Sequence, residues 1–219
     1  MICIPIIEAT VGGMVSKANS AEADLVELRL DSLKDFSGIA KLKKIKRKKI
    51  ATCMPSWEGG RFRGSENERI GILMKTLEFV DYVTVELKTK KTLRERLIKK
   101  AKEKKVKVIV AFHDFKSTPS YEKIKKILNT EKSAGADIAK IVFTPKNDMD
   151  VLTVIKVMIK KPIDLPLIAL SMGELGMVTR ILALPLGAYL TFASLGEGEE
   201  SAPGQLTVKN LKKILSAIK

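Results

Sequence analysis

The alternation of strand-like and helix-like segments is the feature that most restricts how this chain of 219 residues can fold. Short apolar runs of strand length recur along it, at residues 2–7, 24–30, 49–54, 81–87, 106–112, 137–143, 165–170 and 188–193. Amphipathic stretches lie between them, for example at 35–47, 66–79, 90–104, 120–134 and 147–160, and a final helix is predicted at 206–218. Strands that alternate with helices in this way form parallel sheets.

The number and spacing of these units favour a closed barrel over an open sheet. A repeat of roughly 20 to 30 residues per strand and helix is the scale of a compact (β/α)8 barrel. An open doubly wound sheet, the alternative, often has a glycine-rich phosphate-binding turn after its first strand. Residues 8–18 (EATVGGMVSKA) hold only two adjacent glycines there. The sequence therefore predicts one α/β domain over residues 1–219, a single TIM barrel with a C-terminal helix.

The composition restricts where the chain can work. Hydrophobic residues make up 45% of it, enough for a substantial core. No apolar run approaches the ~20 residues of a membrane span, and the opening MICIPIIEAT lacks the basic and long apolar regions of a signal peptide. Cys3 and Cys53 lie inside apolar runs, so we expect two free thiols in a reducing compartment, the cytoplasm.

The strong positive charge leaves two kinds of partner to weigh. The chain has 40 Lys and Arg against 25 Asp and Glu, a net charge of +15. Such a field serves nucleic acid or attracts a small anion. Much of the excess lies in residues 41–49 and 88–107, where apolar residues at helical spacing indicate that the charges coat outer helix faces. Aromatic residues are 5% of the chain and form no stacking motif. We therefore expect a small-molecule substrate, no nucleic acid and no membrane partner.

Polar residues near the ends of two strands are candidate binding groups, because barrel enzymes place their active sites at the C-terminal ends of the strands. Glu27 and Arg29 share one face of the second strand and are predicted to form an oppositely charged pair at the barrel mouth. That pair either grips substrate hydroxyls or plugs the barrel as a structural ion pair. The loop after the third strand, CMPSWEGGRFRG, carries Glu58, which is either functional or a solvated loop carboxylate.

Lys140 lies in the middle of the sixth strand, in GADIAKIVFTP, where a lysine is costly because a buried ammonium loses its hydration. Either its strand lies at a sheet edge, from which the ammonium reaches water, or the lysine has a catalytic role. A closed barrel has no edge strands, and the bulkier residues have the opposite parity. We therefore predict that Lys140 points into the barrel. His113, the only histidine, ends the fifth strand and is either the proton-transfer group or a structural hydrogen-bonded histidine.

A desolvated amine and an imidazole on adjacent strands suit Schiff-base chemistry on a ketone or aldehyde. The iminium acts as an electron sink while the histidine moves a proton at the α-carbon. This chemistry needs no organic cofactor, and the sequence lacks a His/Cys cluster for zinc. Arg180 follows the seventh strand on a predicted helix, and residues 196–205 (GEGEESAPGQ) form either a loop that closes over a ligand or a mobile surface segment.

Several of these segments, in this order and spacing, give the chain a resemblance that spans nearly its whole length. They are DLVELRLD, EGG, FHDF followed by TP, GADIAKI, SMGELGMVTR, LTFAS and SAPGQ. Together they resemble type I 3-dehydroquinate dehydratase of the shikimate pathway. The resemblance implies a cofactor-free syn dehydration of 3-dehydroquinate to 3-dehydroshikimate. The alternatives are another class I Schiff-base barrel, such as an aldolase, and a basic nucleic-acid-binding protein.

The resemblance also implies a role for each matching residue. Lys140 corresponds to the lysine that forms an imine with the C3 ketone of the substrate. His113 corresponds to the base that removes the C2 proton, returns a proton to the departing C1 hydroxyl, and helps make and hydrolyse the imine. Glu58 corresponds to the carboxylate that orients this histidine. The implied substrate-binding residues are Glu27 and Arg29 for the ring hydroxyls, Arg180 for the carboxylate, and Ser201 and Gln205 from the closing loop.

One position departs from the pattern of the family. Where this chain has Met54, just before PSWEGG, other members typically carry a substrate-binding arginine. We hypothesise that Arg61 or Arg63, on the same loop, supplies the missing charge. The resemblance further implies a homodimer or a related assembly, although no single residue of the sequence identifies an interface.

Overall fold

The computed structural model describes residues 1–218 as eight parallel strands with helices between them. The strands are β1 (Ile2–Ile6), β2 (Leu25–Arg29), β3 (Lys48–Thr52), β4 (Tyr82–Glu86), β5 (Lys107–Asp114), β6 (Ile138–Phe143), β7 (Leu167–Ser171) and β8 (Thr191–Phe192). The helices are α1 (Val11–Ser20), α2 (Glu66–Thr76), α3 (Lys91–Glu103), α4 (Tyr121–Ser133), α5 (Asp148–Lys160), α6 (Gly173–Leu182) and α7 (Val208–Ala217). The predicted (β/α)8 barrel is confirmed.

The strands form one nearly closed sheet in the order β7-β6-β5-β4-β3-β2-β1-β8. Within residues 1–218 no regular ladder joins β7 to β8. At this seam the backbone N–H of Tyr189 donates to the carbonyl of Leu167 at 2.8 Å. The eighth strand is accordingly shorter than the predicted 188–193, because only Thr191 and Phe192 pair with β1.

The predicted helix at 35–47 is wrong. The structure has a short 3-10 helix there, from Ile39 to Lys44, which begins after Gly38 at φ 73°. Its apolar residues Ile39, Leu42 and Ile45 are spaced by three, which matches the three residues per turn of a 3-10 helix. The lysines between them are exposed, so this segment has no broad apolar face for an α-helix to bury.

Alternate residues of each strand separate the outer core from the barrel interior. On β2, Val26 and Leu28 pack into the core cluster that contains Met14 of α1. The residues of opposite parity point inward, where Leu25 joins Ile109 and equivalent apolar residues near the N-terminal ends of the strands. The barrel is thus filled with apolar side chains at one end, which leaves its C-terminal end for polar groups.

A capping box fixes the beginning of α2, the helix that follows the loop containing Glu58. The Ser65 side chain accepts a hydrogen bond from the backbone N–H of Glu68 at 3.3 Å, and the Glu68 carboxylate accepts one from the Ser65 N–H at 2.7 Å. Two of the unpaired N–H groups at the helix start are satisfied in this way. The box determines where α2 starts and therefore where its first buried side chain, Arg69, enters the core.

Cys3 and Cys53 are both buried free thiols, as the sequence predicts. Burial raises the pKa of each thiol, which keeps both protonated at neutral pH. Among residues 1–218, no helix combines the length and apolar character needed to cross a membrane.

Candidate active site

A cavity of about 230 Å³ opens at the C-terminal ends of the strands. Its ionisable lining residues are Glu27, Arg29, Glu86, His113, Lys140 and Arg180. Each of these residues is less than a tenth exposed. Buried ionisable groups are costly unless they are paired, and they concentrate at functional sites. This cavity is therefore the candidate active site.

The structure places Lys140 inside the barrel, on the same face of β6 as the smaller, inward-facing residues. The side chain is 7% exposed, and its Nζ lies 3.8 Å from a carboxylate oxygen of Glu27. The Nζ also lies 4.4 Å from the ring centroid of Phe192, in a cation–π arrangement. The opposite parity of β6 packs outward, where Phe143 contacts Phe112. The prediction that Lys140 points inward is confirmed.

His113 ends β5, the strand beside β6, and its ring faces the same cavity. Burial, together with the positive charge of Lys140, lowers the pKa of His113 well below its usual value. The imidazole is therefore neutral at neutral pH and has a lone pair available to accept a proton. Its ring stacks against Phe115, with 6.1 Å between the centroids.

Glu58 holds His113 through two contacts from behind the cavity. Its Oε1 accepts the backbone N–H of His113 at 2.6 Å and lies 3.3 Å from Nδ1 of the ring. An ionised carboxylate can only accept, so Nδ1 carries the hydrogen and Nε2 keeps its lone pair. Burial raises the pKa of Glu58 to about 7. Glu58 is 1% exposed and is not a solvated loop carboxylate.

The predicted pair between Glu27 and Arg29 is wrong in its partners, although both side chains do enter the barrel mouth. Arg29 instead forms two parallel bonds to Asp31, of 2.9 and 2.7 Å. Asp31 lies in the 3-10 turn Leu30–Ser32 that follows β2, and its carboxylate pairs with the planar Arg29 guanidinium through two bonds. Glu27 accepts from the Thr52 hydroxyl at 2.9 Å and is left facing Lys140.

Arg180 is a buried cation on α6 that faces the cavity. It is 2% exposed, and its Nη2 donates to the carbonyl of Pro203 at 3.4 Å. Among residues 1–218 no carboxylate lies within ion-pair distance of it, and its Nε has no hydrogen-bond partner. Burial lowers the pKa of Arg180 to about 10, so it stays charged at neutral pH. A buried guanidinium without a counter-ion is suited to bind an anionic ligand.

The loop of residues 196–205 lies over the cavity and contributes Ser201 and Gln205 to its lining. These two residues bond to each other twice: the backbone N–H of Ser201 donates to Gln205 Oε1 at 2.9 Å, and Gln205 Nε2 donates to Ser201 Oγ at 3.0 Å. The loop is anchored to the start of α6, where the N–H of Gly173 donates to the carbonyl of Pro203 at 3.1 Å. Its position closes one side of the mouth.

Met54 also lines the cavity, at the position where the resemblance implies an arginine. Arg61 lies close by and lines a smaller adjoining cavity of about 140 Å³, together with Arg29, Asp31 and Ser201. The backbone N–H of Arg61 donates to Asp31 at 3.0 Å, which fixes this part of the loop. Arg63 is an exposed residue further along the same loop.

Several lining residues did not emerge from the sequence. Thr52, Thr84 and Glu86 share the inward parity of β3 and β4 and form part of the cavity wall. The Thr52 hydroxyl lies 3.1 Å from that of Thr84, so a polar layer continues from Glu27 across three strands. Their signal was present in the alternation of TVE, where Thr84 and Glu86 face one side. That alternation does not by itself indicate a site, because a threonine in a strand ordinarily reflects β-propensity alone.

Among the described residues 1–218, no group of three or more His, Cys, Asp or Glu side chains is arranged to hold a metal ion. The carboxylates of the site are instead committed to basic partners and hydrogen-bond donors within the protein. Glu27 faces Lys140, Asp31 binds Arg29, and Glu58 binds His113. The arrangement supplies an amine, an imidazole and an unpaired guanidinium around one small chamber.

Comparison with known proteins identifies the family. The sequence pattern described as type I 3-dehydroquinase matches residues 2–219. The chain is 40% identical to the 3-dehydroquinate dehydratase of Methanococcus vannielii over 221 residues, which cover the whole of both chains. It is also 40% identical to the bifunctional chloroplastic 3-dehydroquinate dehydratase/shikimate dehydrogenase of Arabidopsis thaliana. That match covers 96% of this chain and 36% of the plant protein.

Solved structures agree with the sequence comparison. The 3-dehydroquinate dehydratase of Geobacillus kaustophilus superposes with a TM-score of 0.92 at 25% identity, covering 99% of this chain and 90% of that one. The type I 3-dehydroquinate dehydratase of Clostridium difficile, solved with covalently modified comenic acid, gives a TM-score of 0.90 at 29% identity, covering 99% and 91%. The matches extend over the full length of the cavity-bearing barrel. This chain belongs to the type I 3-dehydroquinase family of hydro-lyases.

Proposed function

We propose that this protein dehydrates 3-dehydroquinate to 3-dehydroshikimate, a step of the shikimate pathway, through an imine on Lys140 with His113 as general base and acid. The observation that carries the proposal is a buried lysine and a buried neutral histidine on adjacent strands, facing one cavity. Family membership supplies the substrate class. The two buried free thiols favour a reducing compartment, and we place the enzyme in the cytoplasm.

The first step joins the substrate to the protein. The Lys140 amine attacks the C3 ketone, and loss of one water gives an iminium. Glu27, 3.8 Å from Nζ, holds the ammonium of the resting enzyme and is the nearest carboxylate that can receive a proton as the amine becomes nucleophilic. The Phe192 ring and the buried position of Lys140 limit the access of bulk water to the place where the amine meets the ketone.

The second step is the elimination. Nε2 of His113 removes the C2 proton, and the electron pair moves into the iminium to form an enamine. Expulsion of the C1 hydroxyl follows as the imidazolium returns its proton to that oxygen, so one water departs. Glu58 supports this cycle because its carboxylate accepts Nδ1–H and stabilises the transient imidazolium. Hydrolysis of the imine consumes the water that its formation released and restores Lys140.

Substrate orientation is assigned to the remaining polar groups of the cavity. Arg180, buried without a carboxylate partner among the described residues, pairs with the substrate carboxylate. Arg29, held by Asp31, and Glu27 bind ring hydroxyls from the β2 side. Ser201 and Gln205 cover the ligand from the loop, where their mutual hydrogen bonds already orient them.

Reductive trapping tests the imine directly. Borohydride added during turnover delivers hydride to the C=N bond and leaves a stable secondary amine on the attacking lysine. We expect the adduct on the peptide that contains Lys140. We also expect neither adduct nor formation of the conjugated enone product with Lys140→Ala.

A matched control is Lys107→Ala, because Lys107 lies on the neighbouring strand β5 but is exposed at the N-terminal end of that strand, away from the cavity. That variant should form the adduct and turn over normally. An active wild-type protein that yields no adduct would reject the imine mechanism.

We also propose that the protein is a homodimer joined through α5 and α6. Five large apolar side chains are exposed on these two packed helices, namely Met149, Leu152, Ile159, Leu175 and Val178. Each helix has no net charge: α5 has two acidic and two basic residues, and α6 has one of each. Two copies with a charge of +15 repel elsewhere, whereas a neutral apolar face allows them to approach.

Sedimentation of the purified chain tests this interface. We expect a dimer for the wild type and a folded monomer for Leu152→Glu, because a charge in the centre of an apolar contact loses its hydration. Ile218→Glu is the control, since Ile218 is equally exposed but lies near the C-terminus on another face. A monomeric wild type, or a Leu152→Glu variant that remains dimeric, would refute the proposed interface.

A further inference from the structure

Arg69 of α2 is a fully buried arginine whose donors are all engaged. Its Nε and Nη2 bind the two oxygens of Glu66, at 2.7 and 2.9 Å. Its Nη2 also donates to the Thr89 hydroxyl at 2.8 Å, and its Nη1 donates to Glu86 at 2.5 Å and to the carbonyl of Cys53 at 3.0 Å. A guanidinium has five N–H donors, so each of them has an acceptor here.

Two of the contacts of Arg69 bracket the segment that leads to Glu58. Cys53 is the residue directly after β3, and its carbonyl accepts from Arg69. The Arg69 guanidinium carbon also lies 5.9 Å from the ring centroid of Trp57, the residue immediately before Glu58. Arg69 therefore contacts this short segment at its beginning and again beside the carboxylate that holds His113.

Glu86 fixes Arg69 from the cavity side. It ends β4, is 1% exposed and lines the cavity, whereas its Oε2 binds Arg69 behind the wall. Burial raises the pKa of Glu86 to about 7, and the charge of Arg69 opposes that rise. Glu58 and Glu86 repel each other, and Arg69 bonds both Glu86 and the carbonyl of Cys53, where the segment leading to Glu58 begins.

We propose that the buried Arg69–Glu86 ion pair positions the acid–base machinery: Glu86 fixes Arg69, and Arg69 fixes the segment that presents Glu58 to His113. The inference rests on the proposed function only in assigning His113 as the base. A buried ion pair is an expensive way to stabilise a fold, because apolar residues of similar volume are often as stable. The ion pair lies between the cavity wall and the Glu58 segment, where its directional hydrogen bonds hold that segment in a way that apolar packing would not.

The chain offers a direct readout of this positioning, because His113 is its only histidine. Protein labelled with 15N-histidine gives the two ring-nitrogen signals of that one imidazole. In the wild type above pH 7, we expect the Nδ1 signal in the protonated range and the Nε2 signal in the unprotonated range. This measurement needs neither substrate nor turnover, so it remains informative even if the proposed reaction is wrong.

The first variant is Arg69→Lys, which keeps the charge but loses the forked contacts. We expect a folded protein in which the two histidine tautomers mix, because Glu58 no longer holds Nδ1–H. With substrate, kcat should fall by about 10²-fold, the loss that a misplacement of around 1 Å produces. The KM should change little and the borohydride adduct should still form, since neither Lys140 nor the binding groups have moved.

The second variant, Glu86→Gln, keeps the shape of the side chain and removes one of the two repelling carboxylates. We expect the two histidine tautomers to mix as in Arg69→Lys, because a neutral amide no longer fixes the Arg69 guanidinium that it contacts. This variant also serves if Arg69→Lys fails to fold. Arg94→Lys is the matched control, because Arg94 of α3 bonds the carbonyls of Leu87 and Thr89 in the same loop but does not contact the Glu58 segment.

The outcomes separate the alternatives. A folded Arg69→Lys protein with wild-type histidine signals and wild-type kcat would overturn the proposal, as would a folded Glu86→Gln protein with wild-type histidine signals and wild-type kcat. A higher KM in Glu86→Gln with unchanged histidine signals would instead make Glu86 a substrate contact and would also overturn it. If the wild-type protein had no dehydratase activity, the proposed function would be refuted. The comparison of the His113 ring-nitrogen signals between the wild type and the variants would still test the positioning role of Arg69.

Discussion

His113 on β5 lies two residues nearer the barrel mouth than Lys140 on the neighbouring strand β6. In the strand register, Lys140 pairs with Ala111, and His113 is the next inward-facing residue after Ala111. The Cα atom of Lys140 therefore lies deeper in the barrel than that of His113, and both side chains face the same cavity. The two side chains thus reach one cavity from adjacent strands, which supports the proposed mechanism, in which one group holds the ketone carbon and the other removes a proton from the next carbon.

Replacing His113 should separate imine formation from proton transfer. We expect His113→Ala to lose turnover by ~10²–10⁴-fold, the usual contribution of a positioned general base. Lys140 keeps its place on β6, so the borohydride adduct should still appear, although more slowly. Steady-state kinetics and mass spectrometry of the trapped protein check both halves. Turnover close to that of the wild type would show that another group moves the proton.

The activity should depend on the ionisation of Glu58. Burial raises its pKa to about 7, so the carboxylate that accepts Nδ1–H is formed only as the pH rises through that value. We expect kcat/KM of the wild type to increase with pH up to a plateau above about 7. Glu58→Gln should lower the plateau and remove this acidic limb. A limb that persists unchanged in Glu58→Gln would assign it to a different group.

The same carboxylate should lower stability at high pH. A pKa raised from 4.5 to about 7 in the folded state means that the folded protein binds the proton more tightly than the unfolded chain does. Stability is therefore unaffected below about pH 4.5 and falls as the pH rises toward 7, by about 3 kcal/mol. Urea unfolding measures the free energy of unfolding of both proteins at pH 4.5 and pH 8. Relative to the wild type, Glu58→Gln should be more stable at pH 8 than at pH 4.5 by about 3 kcal/mol. An equal difference at both pH values would contradict the prediction.

The arginines of the loop after β3 can be compared directly. Arg61 lines the small cavity that adjoins the active site, and Arg63 is an exposed neighbour on the same loop. We expect Arg61→Ala to raise KM up to about 5-fold, the effect of one partly screened charge of about 1 kcal/mol. Arg63→Ala should leave KM unchanged. If the pair of substitutions together had no effect on KM, neither arginine would replace the one implied at Met54.

The position of the loop of residues 196–205 should depend on Gly204, where both the backbone conformation and the lack of space favour glycine. Gly204 has φ +76°, and a Cβ there would lie 2.1 Å from the carbonyl oxygen of Gly173. We expect Gly204→Ala to push the loop away from α6, displace Gln205 and lower kcat/KM by at least tenfold. Gly198→Ala is the matched control, because Gly198 has φ +78° but no atom lies within 4 Å of an added Cβ. Equal losses in both variants would place the cause in backbone strain alone.

The sequence alone determined the barrel and the direction of its key side chains. Strand and helix periodicity are local properties, so the eight units, the inward parity of Lys140 and the placement of His113 at a strand end could all be read from neighbouring residues. The exceptions were segments whose structure depends on distant contacts. The amphipathic pattern predicts a helix at residues 35–47, but only Leu42 and Ile45 are buried there.

Tertiary structure decided which charges meet. Arg29 bonds Asp31 rather than Glu27, and Arg69 of α2 reaches Glu86 of β4, a partner 17 positions away. Polar pairing depends on distances of a few ångströms between side chains, and residue spacing along the chain does not specify these when the chain folds back on itself. The candidate reacting groups, Lys140 and His113, can therefore be identified from the sequence. Only the folded barrel determined which carboxylate holds which base, because desolvation acts on side chains brought together from different strands.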